Sequence, residues 1–73
     1  MPITAENVAG IFTYHAPDEG QRVAYDAIRQ GALQLARMII EVTPPCADQQ
    51  AALRHLREAV ATANSAIALK GAV

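Results

Sequence analysis

The 73-residue chain has no tryptophan, one phenylalanine, two tyrosines and a single cysteine. One cysteine excludes an intrachain disulfide and fits a reducing compartment better than a secreted one. No apolar run approaches the ~20 residues needed to cross a bilayer. The first residues, Met1-Pro2-Ile3-Thr4-Ala5-Glu6-Asn7, lack the basic and apolar regions of a signal peptide. Neither sign of charge dominates: six basic and seven acidic residues leave a net charge of -1. Duplex nucleic acid selects strongly basic surfaces, so a long polymer is a poor partner, whereas a small anion met by a few placed cations remains open. A chain this short buries only about 60% of the surface its unfolded form exposes. With no disulfide to staple it, self-association is the support left.

What is present is mostly helix-forming. Thr4 reads as the N-cap of a short helix over roughly residues 5–9, with Glu6 in its first turn and Gly10 ending it. Residues 11–17 read as extended, because Pro17 pushes Ala16 out of helical geometry. Asp18 is the N-cap candidate of a second helix over residues 19–42, although Gly20 would delay its start to Gln21. Tyr25, Ile28, Ala32, Leu35, Ile39 and Val42 recur every three or four residues as one stripe, with Leu33, Ala36 and Ile40 as a second beside it. Gln30, Gln34, Arg37 and Glu41 form the wet face, and Arg37 is placed to pair with Glu41.

Thr43-Pro44-Pro45 stops that helix and turns the chain back as an antiparallel hairpin. A third helix begins near Cys46–Ala47, with Asp48 in its first turn and a stripe of Leu53, Leu56, Val60, Ala63 and Ile67. Ala52, Ala59 and Ala66 give it a line of small residues, Arg54 is placed to pair with Glu58, and Lys70 and Gly71 suit its C-terminal end. The fold class is all-α: a short N-terminal helix and a long helical hairpin, one domain over residues 1–73. Two seam-forming stripes on one helix exceed what a single hairpin covers, which points to a homo-oligomeric bundle.

The scarce aromatics are spent on one connecting stretch, Phe12-Thr13-Tyr14-His15-Ala16-Pro17. Either it plugs the end of a helical core or it faces a ligand. Arg29 lies on the Leu33–Ala36–Ile40 side and needs an acid or a bound anion. A guanidinium forks onto phosphate and stacks on planar rings, and a tyrosine ring stacks on a nucleobase. Tyr14 of one chain and Arg29 of another therefore make a sandwich for a base, set against a plain aromatic plug. His15, His55 and Cys46 lie on three different elements without metal-ligand spacing, so no metal site and no catalytic set is expected.

The Phe12–Pro17 run, Gln21 and Tyr25-Asp26-Ala27-Ile28-Arg29 resemble a phage family, the anti-CBASS cyclic-oligonucleotide sponges, whose hairpin domain is shared with an anti-Thoeris sponge. The resemblance continues through Leu35-Ala36, Ile39, Pro44, Leu56-Arg57-Glu58-Ala59-Val60 and Ala63-Asn64-Ser65-Ala66-Ile67-Ala68. It implies a homohexamer in the host bacterial cytoplasm that sequesters cyclic dinucleotides, such as 3′,3′-cyclic GMP–AMP, and at separate sites cyclic trinucleotides. Neither ligand is cleaved, no cofactor is needed, and CBASS effectors stay inactive. By the family pattern Tyr14 stacks on a base and Arg29 meets a base face or phosphate; Phe12, His15 and Lys70 are additional candidates for ligand contact. Ala16, Ala24, Thr62 and Leu69 depart from the pattern. Leu69 stands where relatives often carry an arginine, a candidate for phosphate binding at the trinucleotide site; Lys70, one residue later, is the substitute on offer, turned by about 100° on a helix. The alternative is a structural or regulatory helical oligomer that binds a protein through its spare apolar stripes. A cyclic-nucleotide phosphodiesterase fits less well, since no general-base or metal set is visible.

Overall fold

The computed structural model describes residues 2–72. It has three helices, α1 (Val8–Ile11), α2 (Glu19–Val42) and α3 (Ala47–Ala68), and no strand among the described residues. The all-helical hairpin is as the periodicity predicts. α2 and α3 pack along each other, while α1 packs on neither.

Each end of the hairpin is held by a glutamine. At the open end Asp18 Oδ1 accepts from the Gln21 amide at 2.8 Å, and Gln21 Oε1 accepts from the Asp18 amide at 3.0 Å. This capping box satisfies two orphan donors, so the helix starts at Glu19 and Gly20 causes no delay. Gln21 Nε2 then donates to the Ile67 carbonyl at 2.9 Å, joining the first turn of α2 to the last turn of α3. At the closed end Thr43 is extended ahead of Pro44, which ends α2. Cys46 caps α3, its Sγ accepting from the Gln49 amide at 3.4 Å. Gln49 Nε2 donates to the Thr43 carbonyl at 3.2 Å and more weakly to that of Ile40 at 3.5 Å. Those carbonyls belong to the unpaired end of α2, so Gln49 is a clasp across the turn.

Gln49, at 7% exposure, is the one buried residue among those described; no apolar side chain is buried. The α3 stripe Leu53, Leu56, Val60, Ala63 and Ile67 is half-buried as expected. On α2 the seam is Gln21, Tyr25, Ile28, Ala32, Ala36 and Ile39. Two members of the expected stripe leave it: Leu35 is exposed, and Val42 is 72% exposed. Alternating steps of three and four average less than a helical turn, so over seventeen residues Val42 ends up about 100° round from Tyr25. Ala36, expected beside the seam, is part of it.

Three local expectations also need correcting. The short helix spans Val8–Ile11, not residues 5–9, and Gly10 lies inside it. Thr4 caps the preceding turn instead, its amide donating to Asn7 Oδ1 at 2.7 Å and its Oγ1 accepting from the Asn7 amide at 3.4 Å. Ile11 is therefore helical, and only the residues beyond the Phe12 cap are non-helical. The Arg37–Glu41 and Arg54–Glu58 pairs do not form among the described residues. Both put the base N-terminal to the acid, the weaker order on a helix. The exposed pairs found are Glu19–Arg22 at 3.8 Å, Asp26–Arg29 at 3.1 Å and His55–Glu58 at 3.9 Å. Lastly, Lys70 rather than Gly71 is the first residue in left-handed geometry after α3, at φ 54°. The Lys70 amide bonds to the Ile67 carbonyl at 3.2 Å and the Gly71 amide to that of Ala66 at 3.0 Å, a Schellman cap.

The chain is elongated, 47 × 28 × 17 Å, with a radius of gyration of 15.4 Å where a compact chain of its length has about 11 Å. Its accessible surface is 5592 Å², about 1,200 Å² more than a folded monomer of 7.8 kDa exposes by the usual size scaling.

Candidate functional site

The aromatic stretch is a short bridge between α1 and α2. Thr13 Oγ1 donates to the Ala9 carbonyl, and His15 Nε2 lies 2.7 Å from the Gly10 carbonyl as the donor, folding the stretch back on α1. Asp18 and its capping box fix the other end. Between these anchors the backbone from Tyr14 to Asp18 forms neither helix nor strand. Tyr14 is 84% exposed and Phe12 78% exposed. Of the two readings of this stretch, a plug formed by Phe12 within its own chain is not what the structure shows. The ring lies largely in solvent and lines neither cavity of the chain.

Arg29 is on the exposed surface of α2 and finds its acid one turn back, Nη1 donating to Asp26 Oδ1 at 3.1 Å. Both side chains are largely in water, so the contact is weak and leaves guanidinium N–H groups available. No hydrogen bond or ion pair joins Tyr14 to Arg29 among the described residues.

His15 and Lys70 do come together. They line a cavity of about 490 Å³ between the N-terminal segment and the end of α3, with Glu6, Asn7, Ile11 and Leu69 among the other walls. The cavity holds one lysine and one glutamate, so an anion entering it meets charge of both signs. A second cavity, about 320 Å³, is an apolar groove along the hairpin, lined by Ala27, Ile28, Gly31, Leu35, Ala59 and Ala63 among others. Tyr14, Phe12 and Arg29 line neither. No group of three or more His, Cys, Asp and Glu placed to hold a metal ion occurs among the described residues. No described helix is long and apolar enough to cross a membrane.

The glutamine clasps were missed from sequence. Gln21 carries a signal, since Asp-x-x-Gln before an apolar run is a capping box. Gln49 carries none, because its partners are carbonyls across a turn. Asn64 Oδ1 is buried without a hydrogen-bond partner, an unmet acceptor that periodicity likewise does not reveal.

Neither a curated protein nor a solved structure matches the chain. One family model does, described as the Acb2/Tad1 hairpin domain, and it covers residues 5–68, from the turn before α1 to the last residue of α3. The match takes in the aromatic stretch, the capping box and both long helices, and supports a role as a phage anti-defence sponge in general. By that match the chain belongs to the Acb2/Tad1 hairpin-domain family of phage anti-CBASS and anti-Thoeris sponges.

Proposed function

We propose that the chain binds cyclic dinucleotides such as 3′,3′-cyclic GMP–AMP and holds them uncleaved in the host bacterial cytoplasm, keeping CBASS effectors from their activator. The observation that carries this is the Tyr14 ring, 84% exposed on a stretch anchored at both ends. An exposed ring on an anchored backbone is a preorganised stacking platform. Arg29, with N–H groups to spare, supplies the fork for phosphate or the plane for a base. No hydrogen bond or ion pair joins the two residues among those described, and on this reading a second copy in a homo-oligomer, a hexamer on the family pattern, completes the site. A two-fold ligand then meets each contact twice. Cyclic trinucleotides are the second ligand class. The His15–Lys70 cavity is the place for their phosphates, with Phe12 as an outlying contact.

Calorimetric titration with 3′,3′-cyclic GMP–AMP, followed by heat denaturation and chromatography of the released ligand, tests this. Heat of binding with intact ligand recovered is the expected result. Cleaved ligand would make the protein an enzyme. No binding would leave a structural or regulatory oligomer that docks a protein on its apolar faces, the reading that exposed Leu33 and Ile40 favour.

A further inference from the structure

The Tyr14 ring is 84% exposed and makes no hydrogen bond among the described residues, yet both of its neighbours in sequence reach back to α1. Thr13 Oγ1 donates to the Ala9 carbonyl, and His15 Nε2 donates to the Gly10 carbonyl at 2.7 Å. Those two carbonyls are consecutive orphans at the end of a helix only four residues long. The carbonyls just before them, of Asn7 and Val8, take the amides of Ile11 and Phe12. One more turn of helix would give Ala9 and Gly10 the amides of Thr13 and Tyr14. The chain leaves the helix instead, and the side chains of Thr13 and His15 stand in for those amides. A carbonyl only accepts, so His15 Nε2 carries the proton in this bond.

We propose that Thr13 and His15 are positioning residues for Tyr14, with α1 as the post to which both are tied. This gives a role to α1, which packs on neither long helix. The two bonds fix the backbone just before and just after Tyr14, and Pro17 and the Asp18–Gln21 capping box hold it further on. With both neighbours turned to α1, the side chain between them is the one left in water, ready to stack on a base. The entropy of ordering this backbone is then lost on folding and not on binding, which raises affinity without adding a contact to the ligand. That consequence rests on the reading of Tyr14 as a base-stacking ring; the geometry of the ties does not. His15 also lines the cavity that Glu6 and Lys70 share. Its Nε2 is engaged by Gly10, which leaves only Nδ1 for anything that enters there. Losing one hydrogen bond of this kind shifts the equilibrium between tied and loose forms by at most about tenfold. A ligand that selects the tied form loses affinity by no more than that factor, about tenfold for each residue.

The test reads the ring first and the ligand second. In a Tyr25→Phe protein Tyr14 is the only tyrosine, and the chain has no tryptophan, so ultraviolet fluorescence reports that ring alone. Time-resolved anisotropy without ligand is compared for this parent, Thr13→Val, Thr13→Ser, His15→Leu and His15→Gln. Valine keeps the shape of threonine without its hydroxyl, whereas serine and glutamine keep a donor. The ties predict faster depolarisation in the valine and leucine proteins and parent-like decay in the serine and glutamine ones, at unchanged sedimented mass. Equal decay in all five proteins overturns the proposal, and so does loosening that serine and glutamine do not rescue. A fall in mass that accompanies the loosening would make the pair a support of assembly, which overturns it too. Calorimetry with 3′,3′-cyclic GMP–AMP follows. The valine and leucine proteins should bind about 3- to 10-fold more weakly than the parent, and the serine and glutamine proteins within about twofold. In a Tyr14→Ala background the valine and leucine substitutions should cost nothing further, because they act through the ring. An equal cost in that background would mean direct contact with the ligand and overturns the positioning role. If Tyr14→Ala binds too weakly to titrate, or His15→Leu fails to fold, the comparison of Thr13→Val with Thr13→Ser decides. A parent that binds no cyclic dinucleotide would sink the functional reading, while the anisotropy still decides whether Thr13 and His15 hold the ring.

Discussion

Replacing Tyr14 by alanine removes a ring that is 84% exposed and that donates or accepts no hydrogen bond among the described residues. Substitutions at such positions usually change stability by no more than about 0.5 kcal/mol. For a domain of this size that moves the melting temperature by roughly 2–4 °C at most. Binding should respond very differently. Base–aromatic stacking is worth ~1–3 kcal/mol per base. A cyclic dinucleotide has two bases, and a two-fold site would offer each a Tyr14, so the loss is about 2–6 kcal/mol. At 1.4 kcal/mol per decade, affinity falls between ~30-fold and ~10⁴-fold. The assay is calorimetry with 3′,3′-cyclic GMP–AMP on the parent, Tyr14→Ala and Tyr14→Phe, at one protein concentration and with sedimentation of each. Tyr14→Phe keeps the ring and should bind within a few-fold of the parent. Unchanged affinity in a folded, assembled Tyr14→Ala protein would refute the stacking role. A change in assembly mass would instead identify Tyr14 as a plug against a neighbouring copy.

Arg29→Ala should leave thermal stability nearly unchanged, because the Asp26 contact it removes is exposed and worth about 0–0.5 kcal/mol; its effect is expected in weaker cyclic-dinucleotide binding with a shallower salt dependence, read by titration at two ionic strengths. Gln49→Ala should cost about 1–2 kcal/mol, since it leaves the Thr43 and Ile40 carbonyls without their side-chain donor, and should lower the melting temperature by roughly 4–15 °C at fixed protein concentration. Lys70→Gly should act the other way. Relieving a side chain from left-handed geometry at φ 54° is worth about 1 kcal/mol and should raise the melting temperature by ~4–8 °C.

Much of the hairpin was legible because it depends on neighbours in sequence. Pro44 and Pro45 stop a helix wherever they occur, Asp18 caps whatever helix follows it, and the α3 stripe repeats closely enough to stay on one face. The α2 stripe was legible only in part. Its residues are apolar on three sides, so periodicity alone does not say which of Leu35, Ala36 and Val42 turn toward α3. The short first helix was misplaced because four residues of helix are held by local caps rather than by propensity, and Thr4 and Asn7 close a turn before it begins.

Sequence alone determined the helical class, the turn at Thr43–Pro45 and, through the Phe12–Arg29 stretch and the family match over residues 5–68, the kind of protein this is. Those features follow from backbone geometry, capping chemistry and residue identity, none of which needs a distant partner. Only the tertiary structure decided that Gln21 and Gln49 clasp the two ends, that Phe12 plugs no core of its own chain, and that Leu35 and Val42 turn away from the α2–α3 seam. Each of these depends on how far one helix rotates against the other. A pattern of apolar and polar letters carries the period of a helix, but the rotation is set where side chains from α2 and α3 meet.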